Sequence, residues 1–299
     1  MSKYRNIEIS KFHKPVLLKE IIALLNLKRG DKVIDATLDG GGHAKAILGH
    51  IAPGGKALGI EQDAEMIRLA KRRLSRQVAA KPPSLEIAEG NFRDIDTLAA
   101  KHGFTEADAI FFDLGLSTWH FKKSGRGFSF QEPSEPILMQ LNTRSQENAA
   151  NILNTYSEKE LTRIFKEYGE TRRPYEIAKK IVLARKGKRI RSVGDLLEAL
   201  KIKDKQSLAK IFQALRIAAN DELSALEQAL EKSFRLLASG GRLAVISYHS
   251  LEDRIVKRNF KATEKEAEII TKKPIIASRE ETLLNPSSRS AKLRVLQKK

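Results

Sequence analysis

The sequence predicts an α/β fold: an open parallel sheet with helices on both faces, interrupted by an all-helical insertion. Three observations lead there. Between residues 32 and 113, short apolar runs suited to buried strands alternate with amphipathic helical patterns. Residues 115–136 are then rich in Gly, Ser and Pro, and residues 145–210 carry helical periodicity throughout. After Gly240-Gly241, a new apolar run at residues 242–247 returns the chain to the sheet.

In chain order, residues 15–27 place Val16, Leu17, Ile21, Leu24 and Leu25 at helical spacing behind a basic N-terminal arm, and Gly30-Asp31 ends that helix. Residues 32–35 form the first strand. A glycine loop follows, then a helix from about His43 to His50 that Pro53-Gly54-Gly55 stops. Residues 56–61 are the second strand, 64–78 a basic amphipathic helix, 85–88 a third strand and 92–102 a helix. Residues 107–113, Ala-Asp-Ala-Ile-Phe-Phe-Asp, form a buried strand that ends on a carboxylate. Helical patterns at 146–153, 158–168, 175–184 and 193–200 fill the insertion, and a long helix covers 224–237, where Gly240-Gly241 stops it. Residues 271–274 with 291–296 predict a closing antiparallel pair. The chain thus divides into a sheet domain, residues 1–135 with 212–299, and a basic helical insertion, residues 136–211, that carries much of the positive charge.

Composition narrows the function classes. The 299 residues contain no cysteine, and the six histidines show no ligand spacing such as His-Glu-x-x-His, so no metal is expected. No run approaches the roughly 18 apolar residues of a membrane span, and the first residues lack the apolar core of a signal peptide, so the expected compartment is the cytoplasm. The formal charge is +18. A charge that large is best tolerated against a polyanion, and in the cytoplasm that means nucleic acid. Aromatic residues are 6% of the chain, too few for a long base-stacking groove, so phosphate and shape contacts should dominate. A homodimer is left open.

The stretch Val33-Ile34-Asp35-Ala36-Thr37-Leu38-Asp39-Gly40-Gly41-Gly42-His43 is the candidate cofactor loop. Three glycines remove every Cβ where a ligand must lie against the main chain. No window supplies the P-loop spacing, and the dinucleotide pattern that starts at Gly40 and Gly42 meets Lys45 where its third glycine belongs, so NAD is the weaker candidate. S-Adenosylmethionine is the stronger one, with Glu61 at the end of the second strand as acceptor for the ribose hydroxyls. The plain alternative is a flexible turn and a solvated acid. In an open α/β sheet ligands bind beyond the carboxyl ends of the strands, which gathers residues 35–43, Glu61, Asn91-Phe92, Asp113 and Ser247-Tyr248-His249 on one rim.

Several segments carry a family resemblance: His13-Lys14-Pro15-Val16-Leu17-Leu18, Gly41-Gly42-His43, Asp113-Leu114-Gly115-Leu116-Ser117, Arg126-Gly127-Phe128-Ser129-Phe130, residues 212–217, residues 247–254 and residues 285–294. In order and spacing they resemble the bacterial small-subunit rRNA cytosine-N(4) methyltransferases of the MraW type. The resemblance implies a Rossmann-like class I S-adenosylmethionine-dependent methyltransferase domain with an inserted helical domain, residues 136–211, for recognition of the substrate RNA. It also implies methylation of a cytidine amine in the decoding region of 16S rRNA, within small ribosomal subunits or late assembly intermediates. Carried over, Gly41, Gly42 and His43 would line the methionine end, Glu61 the ribose and Phe92 the adenine. Asp113 would border cofactor and base, and His120 would fill the remaining binding position. Asp39, Glu61, Trp119, His120, Leu138 and Gln140 depart from the family pattern. For the chemistry, the lone pair of a cytosine amine is shared with the ring, so an acceptor must orient it. Asp113 is the candidate, with Ser247, Tyr248 and His249 as secondary catalytic candidates, while Trp119, Phe128 and Phe130 are candidates to stack on the unstacked base. A non-catalytic RNA binder on the same fold is the alternative.

Overall fold

The computed structural model describes residues 14–75 and 83–299; the basic arm with His13, and the predicted helix end at Arg76-Gln77-Val78, lie outside the described residues. The chain forms two compact units, one comprising the chain up to Gly115 together with Leu223–Lys299, the other Leu116–Glu222.

In the first unit, helix α1 (Leu18–Leu25) precedes β1 (Lys32–Asp35), α2 (Gly42–Ile51), β2 (Lys56–Glu61), α3 (Ala64–Leu74), β3 (Ser84–Glu89), α4 (Ile95–Lys101) and β4 (Ala107–Asp113). Strands β1, β2 and β4 fall where the apolar runs put them. The reason is burial on both faces: along β4, Ile110 and Phe112 enter one core while Ala109 and Phe111 enter the other, so the run is continuously apolar. The predicted helix over 92–102 begins instead as a 3-10 turn, Phe92–Asp94, because Asn91 caps it through the amide of Arg93.

The second half of this unit holds most of α11 (Glu222–Leu236), then β5 (Leu237–Ser247), α12 (Ser250–Ala262), β6 (Ala267–Ile269), β7 (Ile275–Ile276), α13 (Arg279–Leu284) and β8 (Lys292–Lys298). The sheet order is β3-β2-β1-β4-β5-β8-β6, with β7 also on β8. Strands β1 to β5 run parallel, and β8 is antiparallel to β5, β6 and β7. The closing antiparallel element therefore pairs with the main sheet; residues 271–274 join β6 to β7, and of them Thr271 meets the expected partner segment, donating its amide to the Val295 carbonyl at 3.2 Å and accepting the Val295 amide on its hydroxyl at 2.8 Å. Gly240-Gly241 does not separate helix from strand as the sequence suggested. Both lie inside β5, where Leu237 and Arg242 are five positions apart while their partners Ala107 and Ala109 are two apart.

The second unit is helical: α5 (Thr118–Lys123), α6 (Ala149–Thr155), α7 (Glu158–Glu167), α8 (Pro174–Gly187), α9 (Val193–Leu200) and α10 (Lys205–Asn220). Its limits are wider than the expected 136–211. Phe128 before the expected start, and Leu215 and Ala219 beyond the expected end, are buried in the same core as Ile152, Phe165 and Leu196. That core extends along α10, whose apolar face the sequence analysis left outside any element. Among the described residues no helix is long and apolar enough to cross a membrane.

Two glycine substitutions should move stability in opposite directions. A Cβ at Gly241 would meet the carbonyl oxygens of Ala238, Ala107 and Asp108 at 2.9 to 3.1 Å, so Gly241→Ala should cost about 1–3 kcal/mol by crowding the bulge. Nothing lies within 4 Å of a Cβ at Gly49, on the exposed side of α2, so Gly49→Ala should gain about 0.5–1 kcal/mol. Urea unfolding of both variants checks the signs.

Candidate active site

The chain leaves β1 toward β2 and β3 on one side of the sheet and enters β4 and β5 on the other, so strand order reverses between β1 and β4. That is where the carboxyl ends open a crevice. The loop from β1 to α2 fills it. Ala36 donates its amide to Phe111 and Leu38 to Ile60, which fastens the loop to both neighbouring strands. Gly41 has φ +72° as the N-cap of α2, and a Cβ there would strike the Leu74 side chain at 2.9 Å. A Cβ on Gly40, which is itself buried, would meet nothing within 4 Å, so this stretch of backbone faces open space. No side chain caps α2, so its first amides keep their donor capacity.

Asp113, the last residue of β4, is held from several directions. Its amide donates to the Thr37 hydroxyl at 2.6 Å, and its Oδ1 accepts from the Tyr248 hydroxyl at 2.7 Å. Its Oδ2 lies 3.4 Å from His43 Nδ1. The other ring nitrogen, Nε2, is 2.9 Å from the Val16 carbonyl, which can only accept, so Nε2 carries a proton. Burial, then the Asp113 charge, hold the Tyr248 hydroxyl well above its usual range, so it stays a donor. The sequence analysis grouped Ser247, Tyr248 and His249 as partners of Asp113, and Tyr248 is the member that touches it. Ser247 points its hydroxyl to the Lys292 carbonyl at 3.5 Å, and His249 caps α12 in a reciprocal arrangement with Glu252.

At the end of β2, Glu61 accepts the amides of Gln62 and Asp63 on Oε1, both at 2.8 Å, and that of Asp39 on Oε2 at 2.9 Å. A carboxylate offers about four lone-pair sites, so roughly one remains for a ribose hydroxyl rather than a pair. Burial, then the Asp39 charge, push the Glu61 carboxyl up to about 8, against the pull of the Asp63 and Asp39 amides. Asn91 donates to Gln62 at 3.1 Å and joins the ends of β2 and β3. Phe92, beside it, packs edge-on against Phe112 with centroids 5.8 Å apart.

Asp35 is the member that the sequence placed on the rim without a role of its own. It is 3% exposed, its Oδ1 accepts the Thr37 amide, and its Oδ2 has no hydrogen-bond partner among the described residues. The signal was available: an acid ends an apolar strand just before the glycine loop. Asp39 adopts φ 44°, in the left-handed region, where Asp is one of the better tolerated non-glycine residues.

The remaining expected residues belong to the second unit. His120 is buried there, bonded to Ser117 at 3.1 Å and edge-on to Phe128. Phe128 is buried in that unit's core and so closed to a base, while Phe130 is partly buried and packs edge-on against Phe212. Trp119 has the Arg126 guanidinium 5.7 Å from its ring centre. Leu138 packs its amide on the Arg126 and Pro136 carbonyls, and Gln140 ties the following loop through the Thr143 and Ser145 carbonyls.

A model of the MraW methylase family matches residues 10–299. The chain belongs to that family. Ribosomal RNA small subunit methyltransferase H of Dictyoglomus thermophilum is 44% identical over 292 residues, covering 96% of this chain and 97% of that protein. The protein of the same name from Bacteroides fragilis is 39% identical over 311 residues, covering 98% and 99%, and that of Clostridium botulinum is 39% identical over 310 residues, covering 96% and 98%. Membership makes the sheet the Rossmann-like class I methyltransferase fold with S-adenosylmethionine as cofactor, and the chain a methyltransferase of small-subunit ribosomal RNA. It removes the NAD alternative.

Burial, with Asp113 and Asp39 nearby, pushes the Asp35 carboxyl from 3.8 up to about 7 despite the Thr37 amide. Between those values the folded chain holds a proton that the unfolded chain has released. Unfolding free energy therefore falls as pH rises through this window. Asp35→Asn should flatten that fall, and thermal melts of both proteins at about pH 4.5 and 7.5 check it; parallel losses of stability would count against the assignment.

Proposed function

We propose that this methyltransferase acts on the N(4) amine of a cytidine in the decoding region of 16S rRNA, within small ribosomal subunits or late assembly intermediates in the cytoplasm. The observation that carries the choice of group is Asp113, an acceptor fixed at the crevice by Tyr248 and Thr37. A cytosine amine offers two hydrogens and no free lone pair. A carboxylate, which only accepts, draws those hydrogens into position and turns the nitrogen toward the donor. The lack of cysteine also favours the amine, because methylation at a pyrimidine ring carbon calls for a thiolate nucleophile.

When bound, S-adenosylmethionine supplies an electrophilic methyl group on a sulfonium. Gly41, Gly42 and His43 would hold its methionine end at the uncapped start of α2, with Glu61 at the ribose and Phe92 at the adenine. Tyr248, kept protonated, donates to one oxygen of Asp113 and so fixes the orientation in which the carboxylate would meet the amine. The protein's task is alignment, which can supply about 7 kcal/mol or more of the barrier. Reaching the crevice requires an unpaired, unstacked base, which favours a structured single-stranded site.

Three variants separate the roles. Gly42→Arg should abolish cofactor binding and transfer together. Asp113→Ala should lose transfer while still binding S-adenosylmethionine, and Tyr248→Phe should bind normally and turn over about ten- to a hundred-fold more slowly. Calorimetry reads the binding. Transfer of a radiolabelled methyl group to naked 16S rRNA and to small subunits, with nucleoside analysis, reads the product; label on any nucleoside other than N(4)-methylcytidine would sink the reading.

A further inference from the structure

The positive charge of the second unit is concentrated in one place. Leu116–Glu222 holds 21 Lys and Arg against 13 Asp and Glu, and residues 172–191 hold nine of those cations with one acid, Glu176. Outside that window the unit balances at twelve of each. The window is α8 with its two flanks.

Its cations divide into two groups. Arg173 pairs with Glu176, Lys180 donates to the Leu200 carbonyl, Arg185 to the Leu153 carbonyl, and Lys188 pairs with Asp195. Those cations brace the helices. Arg172, Lys179, Lys186, Arg189 and Arg191 are all exposed, and their side chains make no hydrogen bond or ion pair among the described residues. At about 100° per residue, Tyr175, Lys179, Leu183 and Lys186 lie on one face about 80° wide. Ile177, Ala178 and Ile181, away from that face, are buried in the unit's core. The exposed face also carries two large apolar side chains, Tyr175 at 54% and Leu183 at 56% exposure. About half of the Tyr175 surface is thus in water, on the same helix face as Lys179 and Lys186.

We propose that this outward face of α8 docks a single-stranded segment of RNA, with one base stacked on Tyr175 and the flanking phosphates on Arg172, Lys179 and Lys186. The charge selects a polyanion, and the ring selects an unpaired base, since a duplex hides its base faces. Leu183, one turn beyond Lys179, offers an apolar patch to the next sugar or base. The inference deepens the RNA methyltransferase reading and rests on it for the nature of the polyanion.

The test uses the full chain and a short fluorescent oligouridylate, with the same strand annealed to oligoadenylate as the duplex control. Tyr175→Ala should weaken oligouridylate binding about five-fold or more, and Tyr175→Trp should retain it. Lys179→Ala combined with Lys186→Ala should lower the slope of log affinity against log salt by about 0.7 per cation removed. Affinity for S-adenosylmethionine, read by calorimetry, should be unchanged in every variant and so report an intact fold. Wild-type binding by Tyr175→Ala, an unchanged salt slope, or equal weakening on duplex would each overturn the proposal. So would loss of binding to phosphatidylserine vesicles with oligouridylate binding intact, which would assign a lipid surface instead. If the wild-type chain transferred no methyl group while the oligouridylate results held, the docking face would stand and the cytidine reading would fall.

Discussion

A strand buried on both faces has one place for a polar side chain, which is its end. That constraint shapes the whole first unit. The buried stretches of β1, β2 and β4, residues 33–34, 57–60 and 109–112, carry no polar side chain and then deliver Asp35, Glu61 and Asp113, while β5 delivers Ser247 and, one residue on, Tyr248. Because parallel strands all point the same way, the acids collect on one rim, where low polarity makes their mutual repulsion costly. The rim offsets that cost by sharing protons and hydrogen bonds: Tyr248 lends one to Asp113, the Asp39, Gln62 and Asp63 amides lend three to Glu61, and burial favours the protonated form of both Asp35 and Glu61. A cationic methyl donor is the natural complement of such an edge.

Sequence patterning located the sheet well, for the same reason. Continuous apolar runs bounded by glycine or acid have sharp ends, so β1, β2 and β4 were placed to the residue, as was α9, where Ser192 and Asp195 form a capping box. The elements that escaped lack that contrast. α5 sits in a stretch dominated by Gly and Ser, and β6 and β7 are only a few residues of edge strand. In β5 a glycine pair that resembles a helix stop is a bulge, and nothing local distinguishes the two uses. α10 has a clear apolar face, Leu208, Ile211, Phe212 and Leu215, yet the insertion was taken to finish partway along it.

The candidate site was legible as a rim and illegible as a network. Residue type and position gave Glu61, Asp113 and the glycine loop. The individual bonds could not be seen, because they join residues far apart in the chain: Val16 to His43, Asn91 to Gln62, and, out of the three residues grouped with Asp113, Tyr248 alone. For Phe128 and Phe130 residue type alone left base stacking and core packing both open, and the structure puts Phe128 in the helical unit's core with Phe130 packed against it. Tyr175 was counted only as the start of a helix, and its exposure is visible only once α8 is packed.

The parallel pairing of β4 with β5 carries a cost of a different kind. Asp113 lies opposite Ile246, with the whole of Leu116–Glu222 strung between the two strands. Bringing such distant ends together from a random coil is entropically slow, and contacts of this reach dominate the search time of a chain. The intervening segment has a core of its own, so its collapse turns a long floppy loop into a short tether. The architecture thereby favours collapse of the helical segment ahead of closure of the β4–β5 ladder.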